Sequence, residues 1–131
     1  MQNPGFFLED LPESEWYRVY HDFAKHIHCL DIETSGMHED AEITCISILN
    51  DGEMRSFMAT DGLESAAHDL TRIRIAVTFN GTRFDIPRLM QRFAGFLPRF
   101  HVDVAKILEK QKMRGSMKLV AARLGWTQDE V

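Results

Sequence analysis

A β-hairpin near the middle of the chain is the feature that most restricts the folds open to it. Residues 42–49 are rich in β-branched side chains, and residues 53–59 form a second strand-like run. Asn50-Asp51-Gly52 lies between the two runs, and a sequence of this kind is typical of a tight hairpin turn. The two runs are therefore predicted to pair antiparallel within a sheet.

Further strand and helix patterns flank the hairpin. Residues 26–33 and 73–79 are predicted strands. Between the hairpin and the later strand, apolar residues at helical spacing follow Asp61, which predicts a helix over 62–72 with Asp61 as its cap. The same reasoning predicts helices over 13–25, 86–94, 104–113 and 117–124. A helix that connects two strands of one sheet favours a parallel pair, so the expected fold class is α/β, a mixed sheet flanked by helices.

Length and composition favour one domain. The chain has 131 residues, of which 44% are hydrophobic and 27% charged, as in ordinary globular proteins. We interpret residues 1–25 as an N-terminal arm and helix packed on a domain of residues 26–131. No apolar run approaches the ~18 residues of a membrane span, and no signal peptide is recognised. Two cysteines indicate no disulfide framework, so we expect a cytoplasmic protein without a membrane partner.

Charge is distributed unevenly along the chain. Residues 1–70 carry 3 Lys/Arg and 15 Asp/Glu, a balance of −12, whereas residues 71–131 carry 12 Lys/Arg and 5 Asp/Glu, a balance of +7. A basic half of this kind favours an anionic polymer partner. The alternative is that the basic side chains only cover a solvated surface, and charge alone does not decide between the two.

Asp31 and Glu33 form the sharpest local feature. The strand period of two places both carboxylates on the face that also carries Ile27 and Cys29, which we expect to be covered. Two carboxylates beside a covered face are unfavourable unless a cation or hydrogen-bond donors compensate them, and a divalent metal does so most simply. The alternative is two exposed carboxylates at a strand end.

A second motif, Asn80-Gly81-Thr82-Arg83-Phe84-Asp85-Ile86-Pro87, stands where a strand ends and a helix begins. Gly81 permits a tight turn, and Pro87 is tolerated in the first helical turn. Asp85 lies just ahead of the predicted helix, where a carboxylate is favoured as a cap and by the helix dipole. Asp85 is therefore either an N-cap alone or, together with Asp31 and Glu33, part of one acidic site.

Together the two motifs resemble those of the DEDD 3′–5′ exonucleases, which have the ribonuclease H-like fold. The similarity is to the bacterial predicted exonucleases related to the proofreading domain of family B DNA polymerases. LDIETSG resembles the first exonuclease motif, and VTFNGTRFDIPRL resembles the second. FHVDVAKIL and RGSMKLVAARLGW resemble the segments that follow, so the resemblance covers nearly the whole chain.

This resemblance implies metal-dependent hydrolysis of phosphodiesters in single-stranded DNA or RNA, with release of nucleoside 5′-monophosphates. It implies that Asp31, Glu33 and Asp85 are catalytic and bind two Mg²⁺ or Mn²⁺ ions, one activating water and the other stabilising the leaving 3′ oxygen. Thr34 would lie against the terminal nucleotide, and Asn80 would hold the substrate strand or the turn. Arg83, from the basic half, would contact a phosphate.

The third motif of the family does not occur after Gly125-Trp126. The family has a Tyr or His a few residues before a final Asp on a C-terminal helix, and the tail Trp126–Val131 contains no such pattern. We therefore expect a C-terminally truncated ribonuclease H-like domain, completed by a missing C-terminal segment or by a partner chain. Its activity is expected to be weakened or absent.

Asp103 is the candidate for a fourth ligand within the chain, although a helix N-cap is the better interpretation of its position. Two other functional classes stay open. One is a catalytically inactive nucleic-acid-binding or assembly module with the same fold. The other is an ordinary interaction domain whose carboxylates are caps and surface groups.

Overall fold

A mixed five-stranded sheet forms the centre of the molecule. The structure, a computed structural model, describes residues 9–19 and 23–125. The strands are β1 Ile27–Thr34, β2 Ile43–Asn50, β3 Glu53–Met58, β4 Ile75–Thr78 and β5 Phe100–Asp103. The helices are α1 Ala67–Thr71, α2 Asp85–Arg92, α3 Val104–Lys110 and α4 Met117–Arg123, and 3-10 turns occupy Glu13–Val19, Ala24–His26, Ala59–Asp61 and Leu63–Ala66.

The strand order is β3-β2-β1-β4-β5, with β1 in the middle. β2 is antiparallel to both β1 and β3, whereas β4 is parallel to both β1 and β5. The predicted mixed sheet is confirmed, and its first strand is the central one. Because β1, β4 and β5 are parallel, their carboxyl ends meet at one edge of the sheet, which is where α/β proteins place their sites.

The hairpin between β2 and β3 forms as predicted. Asp51 and Gly52 both have positive φ, 50° and 79°, as the right-handed twist of a two-residue hairpin requires. Residues Cys45 to Asn50 pair with Met58 to Glu53 without interruption.

The main hydrophobic core lies on the sheet face that carries Leu30 and Ile32. It is covered by α2 and by the segment from Leu63 to Ile73. The buried residues of this cluster are Leu30, Ile32, Ile43, Ile46, Ile48, Leu63, Ala66, Leu70, Ile73, Ala76, Leu89, Phe93 and Phe96. The strand period then directs Asp31 and Glu33 to the opposite face.

That opposite face is covered only at the start of β1. Ile27, Ile75 and Phe100 form a small buried cluster there, against which Trp16 packs. The rings of Trp16 and Phe100 meet edge to face at 5.0 Å. The end of the same face is open: Asp31 and Glu33 are both exposed, so the expectation of a covered pair is wrong for these two side chains.

Two predicted elements differ from the structure, and one strand of the sheet was not predicted. The helix predicted over 62–72 begins only after Gly62, whose φ is 89°, and consists of the 3-10 turn Leu63–Ala66 followed by the α-helix Ala67–Thr71. Asp61 belongs to the preceding 3-10 turn and does not cap a helix. The helix predicted over 13–25 is two 3-10 segments, with residues 20–22 outside the described residues. Strand β5 was not predicted, because four residues show too few alternations to define a period.

Two sequence interpretations reach beyond the described residues. Part of the predicted arm, residues 1–8, and the tail, residues 126–131, lie outside them. Within the described residues, the helices are all too short or too polar to span a bilayer.

Candidate active site

Asp85 joins the two acidic motifs. It is the first residue of α2 and only 4% exposed, and its Oδ2 accepts a hydrogen bond of 3.0 Å from the backbone N–H of Ile32. Ile32 stands between Asp31 and Glu33, and the pairing of β1 with β4 ends at Cys29, three residues earlier. Asp85 makes no side-chain cap for α2, so the interpretation of Asp85 as an N-cap alone is wrong.

Burial, with neighbouring negative charge, raises the pKa values of Asp85 and Asp31. Burial raises the pKa of Asp85 to about 6, and the charges of Asp31 and Asp103 add to the effect, while the hydrogen bond from Ile32 opposes it. Partial desolvation and the charge of Glu33 raise the pKa of Asp31. Among the described residues, no Lys, Arg or His forms an ion pair with these groups. The site therefore carries negative charge without a protein cation to balance it.

A tight turn carries the chain from β4 to Asp85. Asn80 has a positive φ of 62°, and the N–H of Gly81 donates to Thr78 Oγ1 at 3.1 Å. A Cβ at position 81 would lie 2.2 Å from that same oxygen, so the turn has room only for glycine there.

Asp103 fixes this turn from the end of β5. Its Oδ1 accepts from the N–H groups of Asn80 at 2.7 Å and Ala105 at 3.1 Å, and its Oδ2 accepts from the N–H of Thr82 at 3.1 Å. The bond from Ala105 confirms the predicted N-cap of α3. Burial alone would raise the pKa of Asp103, but these hydrogen bonds outweigh it and lower the pKa.

Comparison with known proteins identifies the family. Residues 28–131 match the family model described as the RNase H superfamily. The chain belongs to the ribonuclease H superfamily. A sequence search of curated proteins returns no match.

Solved structures share this ribonuclease H-like fold at low sequence identity. The family B DNA polymerase of the archaeon Pyrobaculum calidifontis superposes with a TM-score of 0.61 at 16% identity, over 76% of this chain and 18% of that one. The Nibbler EXO domain of Aedes aegypti superposes with a TM-score of 0.51 at 10% identity, over 73% of this chain and 51% of that one. At these sequence identities the similarity establishes the fold alone. The chain spans about a fifth of the length of the polymerase and about half of the length of the EXO domain chain.

The predicted substrate-contacting residues of this ribonuclease H-like domain lie at the end of β1 and in the turn after β4. The hydroxyl of Thr34, at the end of β1, donates to the carbonyl oxygen of Gly36 at 2.7 Å. The side chains of Asn80 and Arg83 are exposed and form no hydrogen bond or ion pair with any described residue. Both side chains are therefore free to contact a ligand.

Arg88 has a structural role that the sequence did not reveal. Its guanidinium donates to the carbonyl oxygens of Ala41 at 3.2 Å and His38 at 3.0 Å, and it stacks over the ring of Phe84 at 4.5 Å. It thereby ties the loop after β1 to α2. Phe84 and Arg88 are four residues apart at the beginning of α2, and this spacing is the only feature of the sequence that indicates the contact.

The donor chemistry of the ribonuclease H-like site suits a hard divalent cation. Asp31, Glu33 and Asp85 offer carboxylate oxygens, and Asp85 keeps Oδ1 free beside the hydrogen-bonded Oδ2. A cation would also relieve the repulsion that raises the pKa values of Asp31 and Asp85. In residues 9–19 and 23–125, however, no three His, Cys, Asp or Glu side chains are gathered around one point. Binding would therefore require side-chain rotation of the two exposed carboxylates.

Proposed function

We propose that this chain is a metal-dependent 3′–5′ exonuclease module that acts on single-stranded DNA or RNA. The hydrogen bond from Ile32 to Asp85 carries the proposal, because it places Asp85 of the second motif against the backbone between Asp31 and Glu33 of the first. The unbalanced negative charge there and the ribonuclease H fold support it. The similarity in fold to the Nibbler EXO domain agrees with it.

Asp31, Glu33 and Asp85 would hold two Mg²⁺ or Mn²⁺ ions. Such ions supply a hydroxide-like nucleophile near neutral pH and neutralise charge on the leaving oxygen. The residues of this chain would orient the strand: Thr34 and the exposed Asn80 beside its 3′ end, and Arg83 on a phosphate. Asp103 would act through the turn that it holds rather than as a fourth ligand, since both its oxygens already accept backbone N–H groups.

We further propose that these 131 residues alone cleave slowly. The sequence offers no equivalent of the family's third motif, and groups that act as one catalytic unit are not additive, so the loss of one costs most of the rate. A partner chain or a further C-terminal segment that supplied the fourth carboxylate would raise the rate.

The test is cleavage of a 5′-labelled single-stranded 12-mer, as DNA and as RNA, with Mg²⁺ or Mn²⁺. We expect slow stepwise shortening from the 3′ end that EDTA and Asp31→Asn both abolish. Asp40→Asn is the matched control, because Asp40 is an exposed acid in the loop after β1. Cleavage that survives Asp31→Asn, or that Asp40→Asn removes equally, contradicts the assignment.

A catalytically inactive nucleic-acid-binding module is the second candidate. The separation of the carboxylates in the described residues favours it, since no three donors are gathered as a site. Mn²⁺ binding that depends on Asp31, together with strand binding and no cleavage under any metal, would identify this function instead.

We also propose a reducing, cytoplasmic location. Cys29 and Cys45 are half-buried free thiols on neighbouring strands, and neither stands opposite the other in the pairing of β1 with β2. Free thiols of this kind are usual in reducing compartments.

A further inference from the structure

A cleft of about 330 Å³ lies beside the candidate active site, between the end of β5, α3 and the first residues of the Glu13–Val19 turn. Asp103 and Thr82 belong to its lining. Asp103 also holds the turn that leads to Asp85, and its charge acts on Asp85. The cleft and the carboxylate site therefore share one wall.

Two lysines form the basic side of the cleft. Lys106 and Lys110 stand four residues apart on α3, so both ammonium groups project from the same side of the helix. Both side chains are exposed, and neither forms an ion pair with a described residue. Two unpaired cations one helical turn apart suit a phosphate group.

The remaining walls offer apolar surface and hydrogen-bonding groups. Val102 and Ile107 are half-buried and form an apolar part, while Thr82 and Ser14 add hydroxyl groups. Glu13 adds an acceptor for an amino or hydroxyl group of a ligand. A cleft of this volume, with one charged side and one apolar side, has the size of a small-molecule site.

We propose that this cleft binds one nucleotide unit of the single strand, with its phosphate on Lys106 and Lys110 and its sugar or base on Val102 and Ile107. This inference rests on the proposed function, because it supplies a second contact for the strand whose end would lie at Asp31 and Asp85. Phosphate contacts position a strand without reading its sequence, so the cleft adds affinity and register rather than base preference.

The decisive experiment measures binding of fluorescent (dT)12 in EDTA, where no cleavage occurs. The cleft variant is Lys106→Glu/Lys110→Glu, and the control variant is Lys25→Glu/Arg74→Glu. The control makes the same change in net charge on exposed side chains. These side chains lie just ahead of β1 and β4, at the opposite edge of the sheet. We expect at least tenfold weaker binding for the cleft variant and less than threefold for the control. In a plot of the logarithm of the binding constant against the logarithm of the salt concentration, the slope for the cleft variant should be shallower than that of the parent by about 1.4.

Ile107→Trp separates the cleft from diffuse electrostatics, because it fills the apolar side without changing charge. We expect at least fivefold weaker (dT)12 binding at an unchanged melting temperature. If the cleft variant and the control variant lose equal (dT)12 affinity, the proposal is wrong. Undiminished (dT)12 binding by Ile107→Trp would also contradict it. Inorganic phosphate at matched ionic strength should displace little (dT)12, and efficient displacement would mean that the cleft takes free phosphate and not a strand.

The outcomes for cleavage and for binding are separable. Asp31-dependent cleavage with undiminished binding by the lysine variant would leave the proposed function standing and refute the cleft. Lysine-dependent binding without any cleavage would support the cleft and refute the exonuclease.

Discussion

Two buried aspartates flank the turn after β4 and have pKa values shifted in opposite directions: Asp85 follows the turn, and Asp103 binds it from the end of β5. Burial raises the pKa of Asp85 to about 6, the charge of Asp31 adds to the rise, and the hydrogen bond from the N–H of Ile32 opposes it only in part. Asp103 accepts three backbone hydrogen bonds, which lower its pKa. Burial thus dominates at Asp85, a carboxylate that would gain from a bound cation, whereas hydrogen bonds outweigh burial at Asp103, which is already satisfied.

Asparagine at these two positions should shift stability in opposite directions. The folded-state pKa of Asp85 is above its unfolded value of 3.8, so metal-free stability falls as pH rises from about 4 to 6. Asp85→Asn keeps an acceptor for Ile32 and should stabilise the metal-free protein at pH 8 by up to about 3 kcal/mol, with no gain below pH 4.

Asp103→Asn should instead destabilise at pH 8 by roughly 1 kcal/mol, because an amide leaves the part-buried N–H of Thr82 without its acceptor. Because the folded state lowers the pKa of Asp103, the ionised carboxylate stabilises the folded protein at any pH above its pKa in the unfolded chain. This stabilisation is lost as the pH falls through the lower pKa of the folded state. Urea denaturation at both pH values gives the comparison. Shifts of the same sign for both variants would show that the two environments do not differ as described.

Manganese should raise the melting temperature through Asp31. A cation that binds only the folded state stabilises it, by about 2.7 kcal/mol at a hundredfold excess over Kd. Asp31→Asn should remove most of this shift, whereas Asp40→Asn should not. Because the pKa of Asp31 is raised, the metal-free Asp31→Asn protein should be as stable as the parent or more so. A large loss of stability without metal would make Asp31 a structural hydrogen-bonding residue.

At the scale of elements, the loop after β1 is held by one side chain of α2. Arg88 bonds to carbonyl oxygens of that loop and stacks on Phe84, so the loop follows the position of the helix that begins with Asp85. Lysine keeps the charge but has neither the planar stacking surface nor the fork of donors.

Arg88→Lys should open this loop locally. Each lost hydrogen bond to a carbonyl oxygen is worth about 1 kcal/mol. Hydrogen exchange of the backbone amides of Ser35 and Ala41 should therefore become roughly tenfold faster, whereas exchange in β2 and β3 should not change. Arg92→Lys is the control, because Arg92 pairs with Glu64 and does not contact the loop. Hydrogen exchange by NMR or mass spectrometry reports the difference, and unchanged exchange in Arg88→Lys would mean that the loop is held by its own turns.

Elements with local signals were predictable, and those made by distant contacts were not. The β2–β3 hairpin has its turn residues and its alternation in one stretch. Strand β5 exists because Phe100 pairs with Ile75 across the sheet, which no local period encodes. The acidic site shows the same limit: the motifs named Asp31, Glu33 and Asp85, but only the fold revealed that Asp85 bonds to Ile32 and that Asp103 holds the turn.

At the scale of the whole molecule, the N-terminal turn and the sheet form one packed unit. Trp16 closes the small cluster of Ile27, Ile75 and Phe100, and its indole N–H donates to the carbonyl oxygen of Leu11 at 3.1 Å. The turn that carries Trp16 also contributes to the cleft beside α3.

Trp16→Ala should therefore destabilise the entire domain in one transition, by about 3 kcal/mol, as for other aromatic truncations in a packed cluster. Circular dichroism in urea measures the change. Leu97→Ala is the control, since Leu97 is 68% exposed and should cost less than about 0.5 kcal/mol. A separate early transition, or no change for Trp16→Ala, would show that residues 1–25 are an appendage rather than part of the unit.

The three hydrogen bonds of Asp103 also set the order in which the site can be assembled during synthesis. The β2–β3 hairpin needs only contacts between close residues and can form while the chain is still emerging. The turn before Asp85 can bind Asp103 only after β5 has been synthesised. Asp85 is therefore not held in place beside Asp31 and Glu33 until most of the domain has left the ribosome. Under the proposed function, a nascent chain would thus contain a partly folded sheet before it contains the arrangement that binds metal and acts on a strand.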